Sequence, residues 1–254
     1  MLYGTIIGDI CGSVYEGLEP IYNPELFAVD SMFTDDTVCT LAIANAILKN
    51  LPYEDSLYDI CNKHLYRKYG PSFVDWLRSE NQLPYNSFGN GSAMRVAPVA
   101  WAFNNLDIVL KEAELSASGT HNHPEGIKGA KAIAHAIFLA RNNADKNHIL
   151  DIMESEYGYP LLDGETIKNE NDFTMTCQKS IPIVMAAFNE SNSFEDCIRT
   201  AISYGWDTDT NAAIAGSIAE AYYGEPNNSW INKCKSYLTP DLLDILEDFN
   251  NRFN

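Results

Sequence analysis

Apolar residues recur at the spacing of an α-helix along almost the whole chain, and this pattern limits the possible folds more than any other feature. Within residues 2–15, glycine also stands at every fourth position, as Gly4, Gly8 and Gly12, where it allows a second helix to approach closely. Residues 35–50 begin with capping residues and continue as an apolar, alanine-rich segment. We therefore predict an all-α fold.

Signals for β-strands are scarce. The polar stretch 157–173 is interpreted as a surface loop, and Pro98 is expected to kink a buried helix over 91–105. The chain contains neither an internal repeat nor a linker, so we predict a single domain spanning residues 1–254. Helical patterns also cover residues 53–70, 71–81, 123–143, 177–190, 193–205, 207–224 and 240–253.

The composition excludes several classes of function. A net charge of −18 argues against binding nucleic acid or an anionic lipid surface through bulk electrostatics, whereas it is compatible with divalent cations and with a small anion held by backbone N–H groups. The six cysteines form no CxxC pair and are interpreted as buried free thiols. Asp9 interrupts the N-terminal apolar run, and no stretch of about 18 apolar residues exists, so we predict a cytoplasmic protein without a signal peptide or membrane span.

Two Thr/Asp clusters, at 33–37 and 207–210, each stand at the start of a very apolar helical segment. Both residue types cap helix N-termini, and acidic groups favour that end of the helix dipole, so a capping role explains either cluster alone. Four carboxylates that converge would repel one another unless a cation lay between them. Such hard oxygen ligands suit Mg²⁺, Mn²⁺ or Ca²⁺ rather than zinc, and four carboxylates exceed what one ion needs. The clusters therefore favour a two-metal site.

Five stretches, in order along the chain, carry a resemblance to a known family. They resemble the opening helix, the first metal motif, the Gly-Asn-Gly-x-Ala-Met motif, the substrate-histidine segment and the second metal motif of ADP-ribosylglycohydrolases. Each stretch alone is weak evidence, whereas five in the same order make the resemblance specific. The stretches are GTIIGDICGSVYEG (4–17), FTDDTVCTLAIANAIL (33–48), YNSFGNGSAMRVAPVA (85–100), SASGTHNHPEGIKGA (116–130) and AISYGWDTDTNAAIAGSIAEAYYGEPNNSW (201–230).

The resemblance implies a fold and an activity. The fold would be all-α, a single compact multi-helix orthogonal bundle with a dinuclear metal cleft that holds two Mg²⁺ ions, or Mn²⁺ as the alternative. The activity would be hydrolysis of the glycosidic bond between ADP-ribose and an acceptor. A monomer that removes mono-ADP-ribose from a protein side chain is expected, with arginine preferred and serine, a nucleic-acid base or a small conjugate left open. The implied metal ligands are Thr34, Asp35, Asp36, Asp207, Asp209 and Thr210.

The same resemblance implies which residues act on water and which bind the substrate. Glu16, Asp36 and Asp209 are the catalytic candidates, and the sequence leaves open which of them activates the water. The loop 86–94 is rich in glycine and small polar residues before a helix, a composition that suits a diphosphate. The implied ADP-ribose contacts are Gly70, Asn86, Ser87, Phe88, Gly89, Asn90 and His121.

Four further residues are given roles from the sequence. Trp206 stands where relatives usually carry a small residue, and we expect it to stack on a substrate group or to narrow the cleft mouth. Asp9 is expected either to orient a metal ligand or a metal-bound water, or to make a helix-packing hydrogen bond. His64 and His148 are interpreted as exposed positions on amphipathic helices.

Two functions from other classes stay open beside hydrolysis. A catalytically inactive ADP-ribose-binding module would bind ADP-ribose without releasing it from an acceptor. A two-metal nucleotide phosphohydrolase would release phosphate or AMP rather than intact ADP-ribose. The product of the reaction therefore separates the three functions.

Overall fold

The computed structural model describes residues 1–170 and 172–253, and α-helices form nearly all of the regular structure there. This confirms the all-α prediction. Within those ranges there is no β-strand, and the extended pairing is limited to an isolated antiparallel bridge between Gly89 and Thr176. A short 3-10 helix, Asn62–His64, follows the third α-helix. The α-helices are α1 (Tyr3–Gly12), α2 (Asp35–Lys49), α3 (Tyr53–Cys61), α4 (Pro71–Arg78), α5 (Gly91–Met94), α6 (Ala97–Ala102), α7 (Leu106–Ser118), α8 (Pro124–Arg141), α9 (Lys146–Ser155), α10 (Gly164–Glu170), α11 (Cys177–Glu190), α12 (Phe194–Ser203), α13 (Thr208–Tyr223), α14 (Asn228–Tyr237) and α15 (Pro240–Phe253).

Helix α1 packs against α13 with the two backbones in contact. A Cβ atom placed on Gly8 would overlap the carbonyl oxygen of Ala212, and one placed on Gly4 would overlap the backbone of α13 in the same way. Further along α1, Gly12 lies against the backbone of Asp209. Only glycine leaves room for so close an approach. The glycine stripe therefore brings the first turn of α13, with its aspartates, directly against α1.

Helix α13 lies at the centre of the fold and packs against α1, α8, α11 and α12. Nearly all alanine residues of α2, α8 and α13 are buried, and the buried apolar side chains form one contiguous cluster. The N-terminal ends of α2 and α13 meet beside this core, because the hydroxyl of Thr210 donates to Oδ2 of Asp36 at 3.3 Å. The two Thr/Asp clusters are thus brought together, although they are far apart in the sequence.

The segment 91–105 differs from the single kinked helix that the sequence predicted. Two short helices, α5 and α6, replace it, and Pro98 lies in the first turn of α6. Proline lacks a backbone N–H group, and the first turn of a helix is where that group is not needed. The proline therefore starts a new helix rather than bending one.

Two further sequence interpretations are corrected by the structure. The stretch 157–173, interpreted as a loop, contains α10, whose first N–H, on Gly164, donates to Oε1 of Glu190 at 2.8 Å; residue 171 of that stretch lies outside the described residues. His64 is buried rather than exposed, since its Nε2 lies 3.0 Å from Oδ2 of Asp241 on α15. Both corrections come from partners that are distant in sequence.

All six cysteines are buried and free, as the sequence predicted. Burial raises the pKa of Cys11, Cys177 and Cys197 to about 12, so these thiols stay protonated at neutral pH. None of the helices that the structure describes is both long enough and apolar enough to cross a membrane.

Candidate metal centre and substrate cleft

A cleft of about 340 Å³ opens where the starts of α2 and α13 meet the loops before α4 and α5. Its volume is in the range of small-molecule sites. Part of its wall, here called the carboxylate end, consists of carboxylates, and the rest includes glycine, small polar and aromatic side chains. The predicted site residues on its wall are Glu16, Asp35, Asp36, Gly70, Ser87, Gly89, Asn90, His121, Asp207, Asp209 and Thr210.

Asp9 anchors the start of α2. Its carboxylate is fully buried and accepts hydrogen bonds from the backbone N–H groups of Thr34 and Thr37, at 2.9 and 3.1 Å, and from both threonine hydroxyls. Thr34 is also the N-cap of α2, where its hydroxyl accepts from the N–H of Asp36. Asp9 therefore joins α1 to α2 through hydrogen bonds and holds Thr34 in place, and the role of Thr34 as a metal ligand stays a prediction.

Carboxylate oxygens of Asp9, Asp36 and Asp209 lie within 4.8 Å of one another, and all three residues are buried. Oδ2 of Asp36 accepts from the hydroxyl of Thr210 at 3.3 Å and lies 3.3 Å from the hydroxyl oxygen of Thr34, whereas its Oδ1 has no hydrogen-bond partner among the described residues. Burial, with repulsion from the neighbouring carboxylates, raises the pKa values of Asp36 and Asp209 well above the usual range. A buried, unpartnered carboxylate oxygen among other carboxylates fits a hard cation, so this cluster could hold a metal ion.

Asp207 is held by the side-chain amide of Asn90. Nδ2 of Asn90 donates to Oδ2 of Asp207 at 2.6 Å and to Oγ of Ser180 at 2.8 Å, so both amide hydrogens are used. Burial raises the pKa of Asp207 to about 6, although the hydrogen bond from Asn90 opposes the rise. The amide nitrogen of Asn90 is thus bonded to an aspartate, and the ADP-ribose contact assigned to Asn90 stays a prediction.

Glu16 pairs with a residue that the sequence reasoning missed. Nζ of Lys68 lies 2.6 Å from Oε2 of Glu16 and donates to the carbonyl oxygen of Ser13 at 3.2 Å. Lys68 has a positive φ of 63°, and both partners line the cleft. No motif surrounds Lys68, and its partner is distant in sequence, so the sequence carries no signal for this pair.

The glycine loop, residues 86–91, is pinned to two neighbouring segments. The N–H of Asn86 donates to Oδ1 of Asn122 at 2.7 Å, and the N–H of Asn90 donates to the carbonyl oxygen of Met175 at 3.2 Å. Within the loop, Oγ of Ser87 accepts from the N–H of Gly89 at 3.1 Å, which leaves the serine hydroxyl hydrogen available as a donor. The loop is therefore a fixed surface between α8 and α11.

Four predicted site residues stand apart from the cleft wall. Thr34, Asn86, Phe88 and Trp206 are not among the described residues that form the wall. Phe88 is exposed, and its ring contacts His123 with the centroids 5.3 Å apart. The substrate contacts assigned to Asn86, Phe88 and Trp206, and the metal contact assigned to Thr34, stay predictions.

Trp206 is bonded through its backbone to the segment that follows Glu16. Its N–H donates to the carbonyl oxygen of Leu18 at 2.6 Å, and its carbonyl oxygen accepts from Gly17 at 2.7 Å. These bonds join the segment that follows Glu16 to the segment that precedes Asp207. Lys68, Tyr69, Tyr85, Arg95, Phe173 and Met175 also line the cleft, and sequence reasoning identified none of them as site residues.

Comparisons with known proteins identify the family. The family model described as ADP-ribosylglycohydrolase matches residues 1–254. The chain belongs to the ADP-ribosylglycohydrolase family. This confirms the resemblance seen in the sequence, and with it an enzyme that hydrolyses glycosidic bonds to ADP-ribose.

Relatives within the ADP-ribosylglycohydrolases extend the match over most of the chain. ADP-ribosylhydrolase ARH3 of Homo sapiens is 26% identical, over 95% of this chain and 90% of its own length. ADP-ribosylarginine hydrolase Tri1 of Pseudomonas putida is 26% identical, over 91% of this chain and 72% of its own length. A solved structure titled ADP-ribosylglycohydrolase-related protein complex is 22% identical, covers 98% of this chain and 94% of its own, and superposes with a TM-score of 0.76. At that identity, the solved structure shows a shared fold.

Proposed function

We propose that this ADP-ribosylglycohydrolase removes mono-ADP-ribose from a protein side chain in a metal-dependent reaction, with arginine as the preferred acceptor. One observation carries the proposal: a buried aspartate cluster and a glycine loop open into the same cleft. The aspartate cluster suits a cation beside the reacting ribose, and the glycine loop suits a diphosphate. The preference for arginine rests on the relative Tri1, which is an ADP-ribosylarginine hydrolase.

The carboxylate end is the proposed metal centre for two Mg²⁺ ions, with Mn²⁺ as the alternative. When bound, the ions would hold the ribose hydroxyls and lower the pKa of a water molecule. The unpartnered Oδ1 of Asp36 supports cation binding at this end. The proposed ligands are Thr34, Asp35, Asp36, Asp207, Asp209 and Thr210, and Asp9 contributes a further buried carboxylate beside them.

The side chains of this cleft would divide the remaining tasks. Glu16, Asp36 and Asp209 are placed on the cleft wall, where a carboxylate can orient a water molecule and accept its proton. Hydrolysis of a glycosidic bond passes through an oxocarbenium-like state, which nearby negative charge stabilises. The hydroxyl of Ser87 can donate to a diphosphate oxygen beside Gly89.

Other expectations remain part of this proposal. The six free buried cysteines support a reducing compartment, in line with the cytoplasm. The net charge of −18 supports the absence of bulk nucleic-acid binding. We also propose that the protein is a monomer and that residues 1–254 form a single domain.

A panel of arginine-, serine- and nucleic-acid-linked ADP-ribose substrates tests the proposal. Intact ADP-ribose is measured by mass spectrometry, with Mg²⁺ and with EDTA. The proposal expects release that is fastest from arginine, requires Mg²⁺ and is lost in the double variant Asp35→Ala with Asp209→Ala. Binding without release would favour an ADP-ribose-binding module, whereas AMP or phosphate as product would favour a nucleotide phosphohydrolase.

A further inference from the structure

Three buried side chains, here called the relay, are linked by hydrogen bonds and end in the cleft. Arg95, Thr120 and His121 are 1%, 0% and 5% exposed. An Nη2 hydrogen of Arg95 is donated to Oγ1 of Thr120 at 2.8 Å, and Oγ1 of Thr120 lies 2.8 Å from Nδ1 of His121. Arg95 and His121 both line the cleft. The donors and acceptors that these three side chains carry determine the direction of each hydrogen bond.

The guanidinium group sets the direction. Arginine has donors and no acceptor, so the hydroxyl oxygen of Thr120 must accept from Arg95. The hydroxyl then has one hydrogen to donate, and Nδ1 of His121 is the acceptor that the described residues offer within hydrogen-bond distance. If Nδ1 carried a hydrogen instead, the threonine hydroxyl hydrogen would stay unpaired inside a fully buried side chain. Of the two arrangements, the one that pairs this hydrogen is favoured, because an unpaired buried donor is costly.

We propose that Arg95 and Thr120 are positioning residues that hold His121 as the neutral tautomer with its hydrogen on Nε2, so that it donates to an anionic oxygen of the ligand. The proposal rests on the proposed function, because it takes that ligand to be the diphosphate of ADP-ribose. A protonated Nε2 attracts a phosphate oxygen, whereas the lone pair of the other tautomer would repel it.

The surroundings of the imidazole support this assignment. A methyl group built on Gly91 would lie 2.9 Å from Nε2 of His121, and one built on Gly89 would lie 3.6 Å from it, so Nε2 lies beside the glycine loop. None of the hydrogen bonds between described residues involves Nε2, and His121 lines the cleft, so Nε2 is left for a ligand. Burial and the positive charge of Arg95 both lower the pKa of His121, so the ring is neutral at pH 7.

The first test reads the tautomer without any ligand. Long-range ¹H–¹⁵N correlation spectra of the ¹⁵N-labelled wild-type protein distinguish a protonated ring nitrogen from an unprotonated one. The signals of His121 are assigned by their loss in His121→Asn. We expect a protonated Nε2 and an unprotonated Nδ1 at pH 7. A protonated Nδ1 overturns the proposal.

The second test removes the relay and restores it. Thr120→Val keeps the shape of the side chain but lacks the hydroxyl, and we expect mixed tautomers and about tenfold weaker ADP-ribose binding in calorimetry, which is the size of one charge-assisted hydrogen bond. Thr120→Ser keeps the hydroxyl and should keep both the wild-type tautomer and the affinity. Thr5→Val is the matched control, because Thr5 is equally buried and its hydroxyl has no partner among the described residues.

The outcomes separate the relay from the function. Wild-type tautomer and affinity in Thr120→Val would overturn the positioning role. A protonated Nε2 in a wild-type protein that does not bind ADP-ribose would support the relay and refute the proposed function. Circular dichroism of each variant shows whether it folds. If Thr120→Val does not fold, the tautomer measured in the wild-type protein still tests the proposal.

Discussion

The side-chain amide of Asn90 donates a 2.6 Å hydrogen bond to Oδ2 of Asp207, which lies 117 residues further along the chain. The bond joins the glycine loop to the carboxylate end of the cleft. It fixes the orientation of one proposed metal ligand from the segment that is proposed to hold the diphosphate. The two ends of the cleft are therefore mechanically connected.

Replacing Asn90 should weaken metal binding. Asn90→Ala removes the donor that orients Asp207, and partners of this kind typically contribute about 10- to 100-fold to metal affinity. We expect a loss of that size in the affinity for Mn²⁺, measured by electron paramagnetic resonance, with a parallel loss of turnover. Asn250→Ala is the control, because Asn250 is buried and its side-chain amide has no partner among the described residues. Unchanged Mn²⁺ affinity in Asn90→Ala would show that Asp207 does not depend on this bond.

Asp9→Asn should destabilise the fold. The carboxylate of Asp9 accepts from two backbone N–H groups and two hydroxyls, and an asparagine would turn an NH₂ group towards at least one of these donors. We expect the free energy of unfolding to fall by about 1–3 kcal/mol, the cost of leaving a buried donor unpaired. Urea unfolding with EDTA present measures it. Equal stability of variant and wild type would mean that Asp9 is not what anchors the start of α2.

The metal-free protein should become less stable as the pH rises. The pKa of Asp207 is raised from 3.8 to about 6 on folding, and those of Asp36 and Asp209 are raised as well. A carboxyl whose pKa is raised by folding binds its proton more tightly in the folded state, so its ionisation costs stability. The cost is absent below about pH 4 and is complete for Asp207 once the pH exceeds about 6.

Thermal unfolding in EDTA across pH 4 to 7 tests this expectation. The melting temperature should fall over that range, and Mg²⁺ at pH 7 should restore it because binding to the folded state stabilises it. General repulsion from the net charge of −18 would also lower the melting temperature. The variant Asp209→Asn separates the two effects, since it removes one buried carboxylate and should flatten the pH dependence. If the melting temperature of Asp209→Asn fell with pH as steeply as that of the wild type, the effect would be due to general repulsion.

Lys68→Met should lower turnover with little change in stability. The Lys68–Glu16 pair is partly exposed, and exposed pairs contribute about 0–1 kcal/mol to folding. Without its partner, Glu16 is no longer held over the cleft, and we expect kcat to fall by about tenfold, which is less than the roughly 10²- to 10⁴-fold that a positioned acid or base contributes, because Glu16 itself remains. Lys235→Met is the control, because Lys235 forms a similar pair with Glu247 away from the cleft. A fall in melting temperature that accounts for the lost activity would argue against a role in positioning Glu16.

The sequence predicted what depends on local patterns. Helical periodicity and capping residues identified most helices, and the Thr/Asp motifs identified the carboxylate end of the cleft. What it missed depends on partners distant in sequence: the pairing of Lys68 with Glu16, the burial of His64 against Asp241, and the use of Asn90 by an aspartate. Such pairings are set by how the helices pack, and no short motif records them.

The glycine contact between α1 and α13 has a consequence for any attempt to change the metal preference of this protein. Asp9 and Asp209 stand on two helices whose backbones touch, so no intervening side chain can be resized to move them apart. The spacing between the carboxylate oxygens of Asp9 and Asp209 is then set by the side chains themselves, and an aspartate-to-glutamate exchange would change it. The contact between the two helices therefore limits the size of the ion that can fit between these two carboxylates, and accommodating a larger ion would require changes in the ligand side chains.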